Sequence, residues 1–257
     1  EHYLPRFAED RIPASDIGAI VGIADKLDTI AGCFGIGLVP TGTADPYGLR
    51  RQCLGIINII LGRHYHISLS AIVNKSIDLL EDKLTRPAQT VSQDVLNFFA
   101  GRLANLLVSQ GHPADVVDAV ISCGIDDITD MVKRVKALQQ LKQAPDFEPL
   151  AIAFKRVVNI LSGTDAGPVD TALLQHPAEI ALHEKYDALS RQVISLMDSK
   201  EYLAALKCIA TLRPEVDAFF DGVMVMVEDV ALRNNRLALL HEIGSLFKNF
   251  ADFTRLS

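Results

Sequence analysis

With 257 residues and a net charge of -7, the chain lacks the basic balance that is the usual footprint of a generic nucleic-acid binder. No half is basic either: residues 1–144 hold 14 Lys and Arg against 16 Asp and Glu, and residues 145–257 hold 11 against 16. No apolar run approaches the roughly 18 residues of a membrane span, and a start at Glu1 without a basic-then-apolar leader reads as a soluble fragment of something longer.

Every predicted element is a helix. Ser15 is placed to cap the first, whose apolar positions Ile17, Ile20, Val21, Ala24, Leu27, Ala31 and Phe34 keep the three-and-four spacing of one buried stripe. Gly32, Gly35 and Gly37 dismantle it. The connection carrying Gly35, Gly37, Pro40, Gly42 and Pro46 is expected to hold one defined shape, because proline fixes its φ and glycine reaches positive φ. Asp45 stands where an N-cap belongs, with Pro46 at the first helical position. A second helix is therefore predicted over 46–61, stopped by Gly62, and a third over 70–84, broken at Arg86 and Pro87.

Val95, Phe98, Phe99, Leu103, Leu106 and Leu107 predict a helix over 92–110, closed by Gly111, and a short one follows at 115–122. Asp126 or Asp127 can cap the next, which turns Ile128, Met131, Val132, Val135, Leu138 and Leu141 inward and Lys133, Arg134, Lys136 and Lys142 outward. Pro145 and Pro149 precede a helix over 150–161, and the clearest break in the chain runs over 162–168. Beyond it helices are predicted over 178–198, 202–212, 214–227 and 230–253. The run Val-Met-Val-Met-Val at 223–227 alternates weakly, but with helix on both sides it reads as a buried helix end. The fold class is all-α, divided at 1–144 and 145–257, with 162–177 as a rival boundary.

Several of these stretches resemble a known family. ADKLD at 24–28, GIGLVPTG at 35–42 and DPYGLRR at 45–51 look like the beta subunit of the bacterial tetrameric glycyl-tRNA synthetase. FFDGVMVMVEDVALRNNRLALL at 219–240 and FKNFADFTRL at 247–256 resemble that subunit's tail. The resemblance implies an HD-like region and helical linker followed by a helical-bundle anticodon-binding domain similar to that of arginyl-tRNA synthetase. It also implies a cytoplasmic enzyme that attaches glycine to tRNA(Gly) with ATP and Mg, the ATP and glycine site lying on a separate alpha subunit. The implied partners are tRNA(Gly), the alpha subunit and the rest of the beta subunit, with neither membrane nor DNA. No catalytic residue, metal or cofactor is expected within this stretch.

An unstacked anticodon needs donors for base edges and phosphates and flat side chains for stacking. The candidates for the first task are Lys155 and Arg156 on the helix at 150–161, the run Arg233, Asn234, Asn235 and Arg236, and Arg50 and Arg51 after the Gly-rich loop. Tyr202 or Phe220 is placed for the second. Glu228 and Asp229 suit the start of the last helix, where negative charge complements the helix dipole.

Other chemistries find little support. Asp25, three residues before Asp28, is the one match to an HD-type metal ligand, but the His-Asp pair of that pattern is missing and His2 is the one histidine upstream. His64 and His66 are two apart with no further ligand nearby, and read as surface residues. The glycine loop lacks the third glycine and the Gly-Lys-Ser/Thr of phosphate cradles. Cys33, Cys53, Cys123 and Cys208 stand singly and read as reduced thiols. An HD-type phosphohydrolase and a helical protein-interaction scaffold are the alternatives.

Overall fold

The computed structural model describes residues 1–7, 9–145, 147–161, 167–248 and 250–257. It is helical as expected, and no strand is present among the described residues. Most of the break predicted at 162–168 lies outside them. By packing, the chain divides into two compact units, residues 1–111 with 124–132 and residues 112–123 with 133–257.

The first unit is built from α1 (Asp16–Gly35), α2 (Leu49–Gly62), α3 (Leu69–Leu79) and α4 (Ala88–Ser109), with α1 packed against the other three. Ser15 caps α1 as predicted, its hydroxyl accepting from the Gly18 N–H. The buried face of α1 is the expected one at Leu27, Ala31 and Phe34, but not in the first half of the helix. Ile17, Ile20 and Val21 are 79%, 61% and 46% exposed, while Gly18, Ala19, Gly22, Ile23, Leu27, Ile30, Ala31 and Phe34 are buried. The reason is close backbone approach: a Cβ on Gly22 would stand 3.0 Å from the His2 carbonyl oxygen, so the first residues of the chain lie across the glycine side of the helix. Lys26 is buried on this side and donates to the carbonyls of His2 (3.1 Å) and Leu4 (3.0 Å).

The second helix starts later than predicted. Its first residue is Leu49, and the N-cap position is Gly48 in the left-handed region at φ 63°. Asp45 still does the capping, from four residues away: its carboxylate accepts from Leu49 N (2.8 Å) and Arg50 N (3.0 Å). The preceding loop is folded as one piece, with reciprocal backbone bonds between Thr41 and Ala44 and a bond from Leu38 N to Cys33 O of 2.8 Å.

The second unit comprises α5 (Ala114–Ile121), most of α6 (Ile128–Lys142), α7 (Phe147–Ile160), α8 (Pro177–Asp198), α9 (Tyr202–Ala210), α10 (Arg213–Gly222) and α11 (Val230–Lys248). The passage from one unit to the other falls inside α6. Three phenylalanines centre the core: the Phe154 and Phe247 rings stack at 4.5 Å, and Phe253 meets both edge-on at 5.5 and 5.2 Å. Such aromatic contacts add specific geometry to a large buried apolar area.

α10 ends at Gly222, not near residue 227. Residues 223–229 are irregular, and their side chains alternate: Val223 and Val225 are buried, Met224 is 74% exposed and Met226 is 62% exposed. The period-two pattern was therefore genuine, without a partner strand to make it a sheet.

Candidate nucleic-acid interface

α11 begins where Asp229 accepts from the N–H groups of Ala231 (2.9 Å) and Leu232 (3.1 Å). Asp229, the second of the acidic pair before the basic run, thus serves the helix start. Successive residues of a helix point about 100° apart, so Arg233, Asn234, Asn235 and Arg236 fan around the axis. Asn235 is turned inward and buried; its side-chain oxygen accepts from Asp170 N at 2.7 Å and its amide donates to Asp170 O at 3.0 Å. Asn234 is exposed.

The two arginines hold the segment before the helix. Arg233 donates to the Val227 carbonyl at 3.2 Å, and Arg236 donates to the Met224 carbonyl at 2.9 Å. Arg236 also pairs with Glu179, which is 1% exposed. Glu179 in turn accepts from the N–H groups of Gln175 (2.7 Å) and His176 (2.9 Å), completing the capping box of α8. Burial alone would raise the Glu179 carboxyl, but the His176 and Gln175 donors and the Arg236 charge outweigh it and hold the group below its ordinary value. One buried carboxylate thus ties the start of α8 to α11 and, through Arg236, to the segment that displays Met224 and Met226.

Arg156 on α7 lies with its guanidinium carbon 4.3 Å from the centroid of the Phe220 ring on α10. Arg156 is exposed and Phe220 half-buried, so ring and cation both reach solvent. Lys155 points elsewhere: its ammonium donates to the Leu256 carbonyl. Tyr202, the other stacking candidate, is buried, with Arg134 5.4 Å from its ring centroid.

The remaining candidates lie in the first unit. Arg50 is committed to the loop that precedes it, donating to the Gly42 carbonyl at 2.8 Å, while Arg51 is exposed. Asp25 and Asp28 are both exposed on α1, and no group of three or more His, Cys, Asp or Glu side chains converges among the described residues. His66 pairs with Asp127 at 2.7 Å. The four cysteines are free; Cys53 is fully buried, and burial pushes its thiol well up.

Sequence reading found the basic run and Phe220 but missed the exposed methionines. Their signal was the alternation at 223–227, which had been read as helix.

The chain is thus a helical first unit followed by a helical bundle whose last helix carries the run Arg233 to Arg236. Residues 1–122 match the family described as glycyl-tRNA synthetase beta subunit, and residues 150–254 match the DALR anticodon binding domain. The chain is 52% identical over 258 residues to the glycine–tRNA ligase beta subunit of Geotalea uraniireducens, 54% over 261 residues to that of Trichlorobacter lovleyi and 48% over 256 residues to that of Syntrophus aciditrophicus. In each case all of the chain is matched and 37% of the relative, so the chain spans little more than a third of their length. The chain belongs to the glycyl-tRNA synthetase beta subunit family and corresponds to the C-terminal part of its members. The resemblance carried by residues 24–51 and 219–256 is met over the whole sequence. No helix among the described residues is long and apolar enough to cross a membrane.

Proposed function

We propose that this stretch holds the anticodon stem-loop of tRNA(Gly) for a cytoplasmic glycine–tRNA ligase, in which glycine is joined to tRNA at the expense of ATP, with Mg as its cofactor. The observation that carries the reading is the set of exposed groups on α7, α11 and the end of α10, within the part matched by the anticodon-binding family. There the second unit offers an arginine over an aromatic ring (Arg156, Phe220), two exposed methionines (Met224, Met226) and an exposed amide (Asn234). Unstacked bases pack on flat or apolar side chains, guanidinium supplies phosphate and base-edge donors, and an amide reads a base edge. Arg233, Asn235 and Arg236 support the reading indirectly, as residues that shape and hold the display. Arg51 is a second candidate contact, in the other unit. The functional boundary we propose lies near residue 145; the match to the anticodon-binding family over 150–254 supports it.

The adenylation site is assigned to the alpha subunit, with which this polypeptide and the rest of the beta subunit assemble; no ATP or metal is assigned to these residues. The chain alone is then silent in ATP–pyrophosphate exchange with glycine, and clear activity there would sink that assignment. The test of the tRNA role is affinity for tRNA(Gly) and for the same tRNA with altered anticodon bases, each at two salt concentrations. Affinity that falls with salt and with the altered anticodon supports it, since phosphate contacts release counterions. Equal and weak binding to both removes recognition from this stretch. Binding indifferent to salt favours a protein-docking role, which the net charge of -7 makes the runner-up.

A further inference from the structure

α6 carries a basic face that neither family match reaches. Lys133 and Lys136 lie between the stretch matched to the synthetase subunit, which ends at residue 122, and the anticodon-binding stretch, which begins at residue 150. Three apart on a helix, they share one side of it, with Gln140 a turn further on. Both are exposed, and neither is ion-paired among the described residues, unlike Lys142, Arg213 and Arg236, each of which meets a carboxylate. An open depression of about 450 Å³ lies beside them, lined also by Lys200 and Glu201 from the turn between α8 and α9. Its charged groups are thus three ammoniums and one carboxylate, an excess of two positive charges in a chain whose net charge is -7. The backbone gives a second, independent sign. Lys200 follows Ser199, the C-cap of α8, and its φ is 59°, in the left-handed region. Its N–H donates to Met197 O at 3.0 Å and the Glu201 N–H to Leu196 O at 2.8 Å, the paired bonds of a helix end at which glycine is the usual residue. A side chain there works against the backbone, and the residue present is a lysine that lines the same depression as Lys133 and Lys136.

We propose that this depression receives phosphates of the tRNA backbone outside the anticodon, on elements other than α7, α10 and α11. The inference rests on the tRNA reading for its partner and adds a second point of contact to it. The chemistry selects RNA over protein. Lysine is a compact charge with three donors, which suits phosphate oxygens and carries no information about the base. Lysines one turn apart have Cβ atoms about 5–6 Å from each other, so each can meet its own phosphate on one strand. Protein interfaces, in contrast, are depleted in lysine and anchored by large apolar side chains. None of the residues lining this depression is an exposed large apolar residue.

The experiment uses the full-length beta subunit, with tRNA(Gly) and the same tRNA carrying altered anticodon bases, each titrated across salt. Lys133→Gln with Lys136→Gln should weaken binding of both tRNAs alike, by about tenfold at low salt, and lower the slope of log affinity against log salt by about two, one for each ammonium removed. Lys133→Arg with Lys136→Arg should bind as the unsubstituted subunit does. Lys200→Gly should move two readouts in opposite directions, lowering the slope by about one while raising the urea midpoint, because glycine relieves the left-handed backbone. Unchanged slopes in these variants overturn the proposal, and so does a loss confined to one of the two tRNAs, which would make the lysines base readers. Weakened association with the alpha subunit at an unchanged slope overturns it in favour of a protein partner. The anticodon reading is judged separately, by whether the unsubstituted subunit distinguishes the two tRNAs. Equal binding of both removes that reading and leaves the lysine slopes to decide this one.

Discussion

The guanidinium of Arg156 lies 4.3 Å from the ring centroid of Phe220, joining α7 to α10 on the outer surface of the second unit. A cation over an exposed ring is worth about 0.5–1 kcal/mol, so the pair is a weak source of stability. Arg156→Ala should leave the unfolding midpoint nearly unchanged. If the pair touches tRNA, the same substitution weakens binding about 3- to 10-fold and lowers the slope of log affinity against log salt by about one. Fluorescence anisotropy with labelled tRNA(Gly) reads both quantities, and an unaltered slope removes Arg156 from the interface.

Asn234 and Asn235 are neighbours with opposite fates. Asn235→Ala strips Asp170 of the partners for both its N–H and its carbonyl; Asp170 is exposed and both groups can turn to water, so each lost bond costs about 0.5–1.5 kcal/mol. Urea denaturation should show that loss, and hydrogen exchange should show faster exchange at the Asp170 amide. Asn234→Ala should be silent in urea and appear only in tRNA affinity, by about 2- to 5-fold if its amide meets a base edge. The reverse pattern would mean that the two residues have been assigned the wrong sides of α11.

What the sequence made legible follows from what patterns encode. Helices with one apolar face were read with their boundaries nearly right, as over 128–142, where Ile128, Met131, Val135, Leu138 and Leu141 are all buried. The first turns of α1 were misread because both sides are apolar there and the buried one carries Gly18, Ala19 and Gly22, residues that give little hydrophobic signal, while Leu27, Ala31 and Phe34 are buried as expected. The covering segment is the chain's own first residues, a relation between distant positions that no local period records. The basic run of α11 was found by residue type; its division into displayed and inward members needed the Asp170 and Glu179 partners, 65 and 57 residues away. The stretch 223–227 had the right period and the wrong neighbours.

The ion pair of Glu179 and Arg236 should be expensive to break from one side. Removing either partner strands a buried charge, and such single truncations cost about 3–5 kcal/mol. Arg236→Ala should therefore destabilise the second unit strongly and also free the Met224 carbonyl, so tRNA binding falls as a consequence of a loosened display. Replacing both by apolar residues of similar volume, Glu179→Met with Arg236→Met, should recover part of the stability, since no lone charge is left but the Gln175 and His176 N–H groups and the Met224 carbonyl still lose their partner, and should not recover the affinity. Chemical denaturation of the two singles and the double decides the point, and an additive double would contradict a coupled pair.

Asp115 supplies a pH signature. Burial alone would raise its carboxyl, but the Lys142 ammonium and the Ser257 N–H and hydroxyl outweigh it and bring the group down to about 2. An unfolded aspartate titrates near 3.9, so Asp115 contributes stability that is fully present above about pH 4 and is lost as pH falls through about 2. Asp115→Asn should cost stability at neutral pH, and the gap between the two proteins should close over that acid window. Urea unfolding followed by circular dichroism across the window tests this, and a gap independent of pH would mean that the pairing with Lys142 is not formed in solution.

The start of α2 separates two devices that the sequence presents side by side. Asp45 reaches past Pro46 to accept from Leu49 N and Arg50 N, and Gly48 adopts φ 63° to let the helix begin there. Asp45→Ala should cost about 1 kcal/mol as a lost cap, with Asp45→Asn largely restoring it because the side-chain oxygen remains. Gly48→Ala should cost about 1–2 kcal/mol for a different reason, the left-handed backbone, and Gly48→Asn less, since asparagine tolerates that region. Pro46, by contrast, lies before the helix and not at its first turn, so Pro46→Ala should alter stability only through the loop. Thermal denaturation of the five variants distinguishes these roles. Were Pro46→Ala to match Asp45→Ala in cost, the helix would begin in solution where the sequence first placed it.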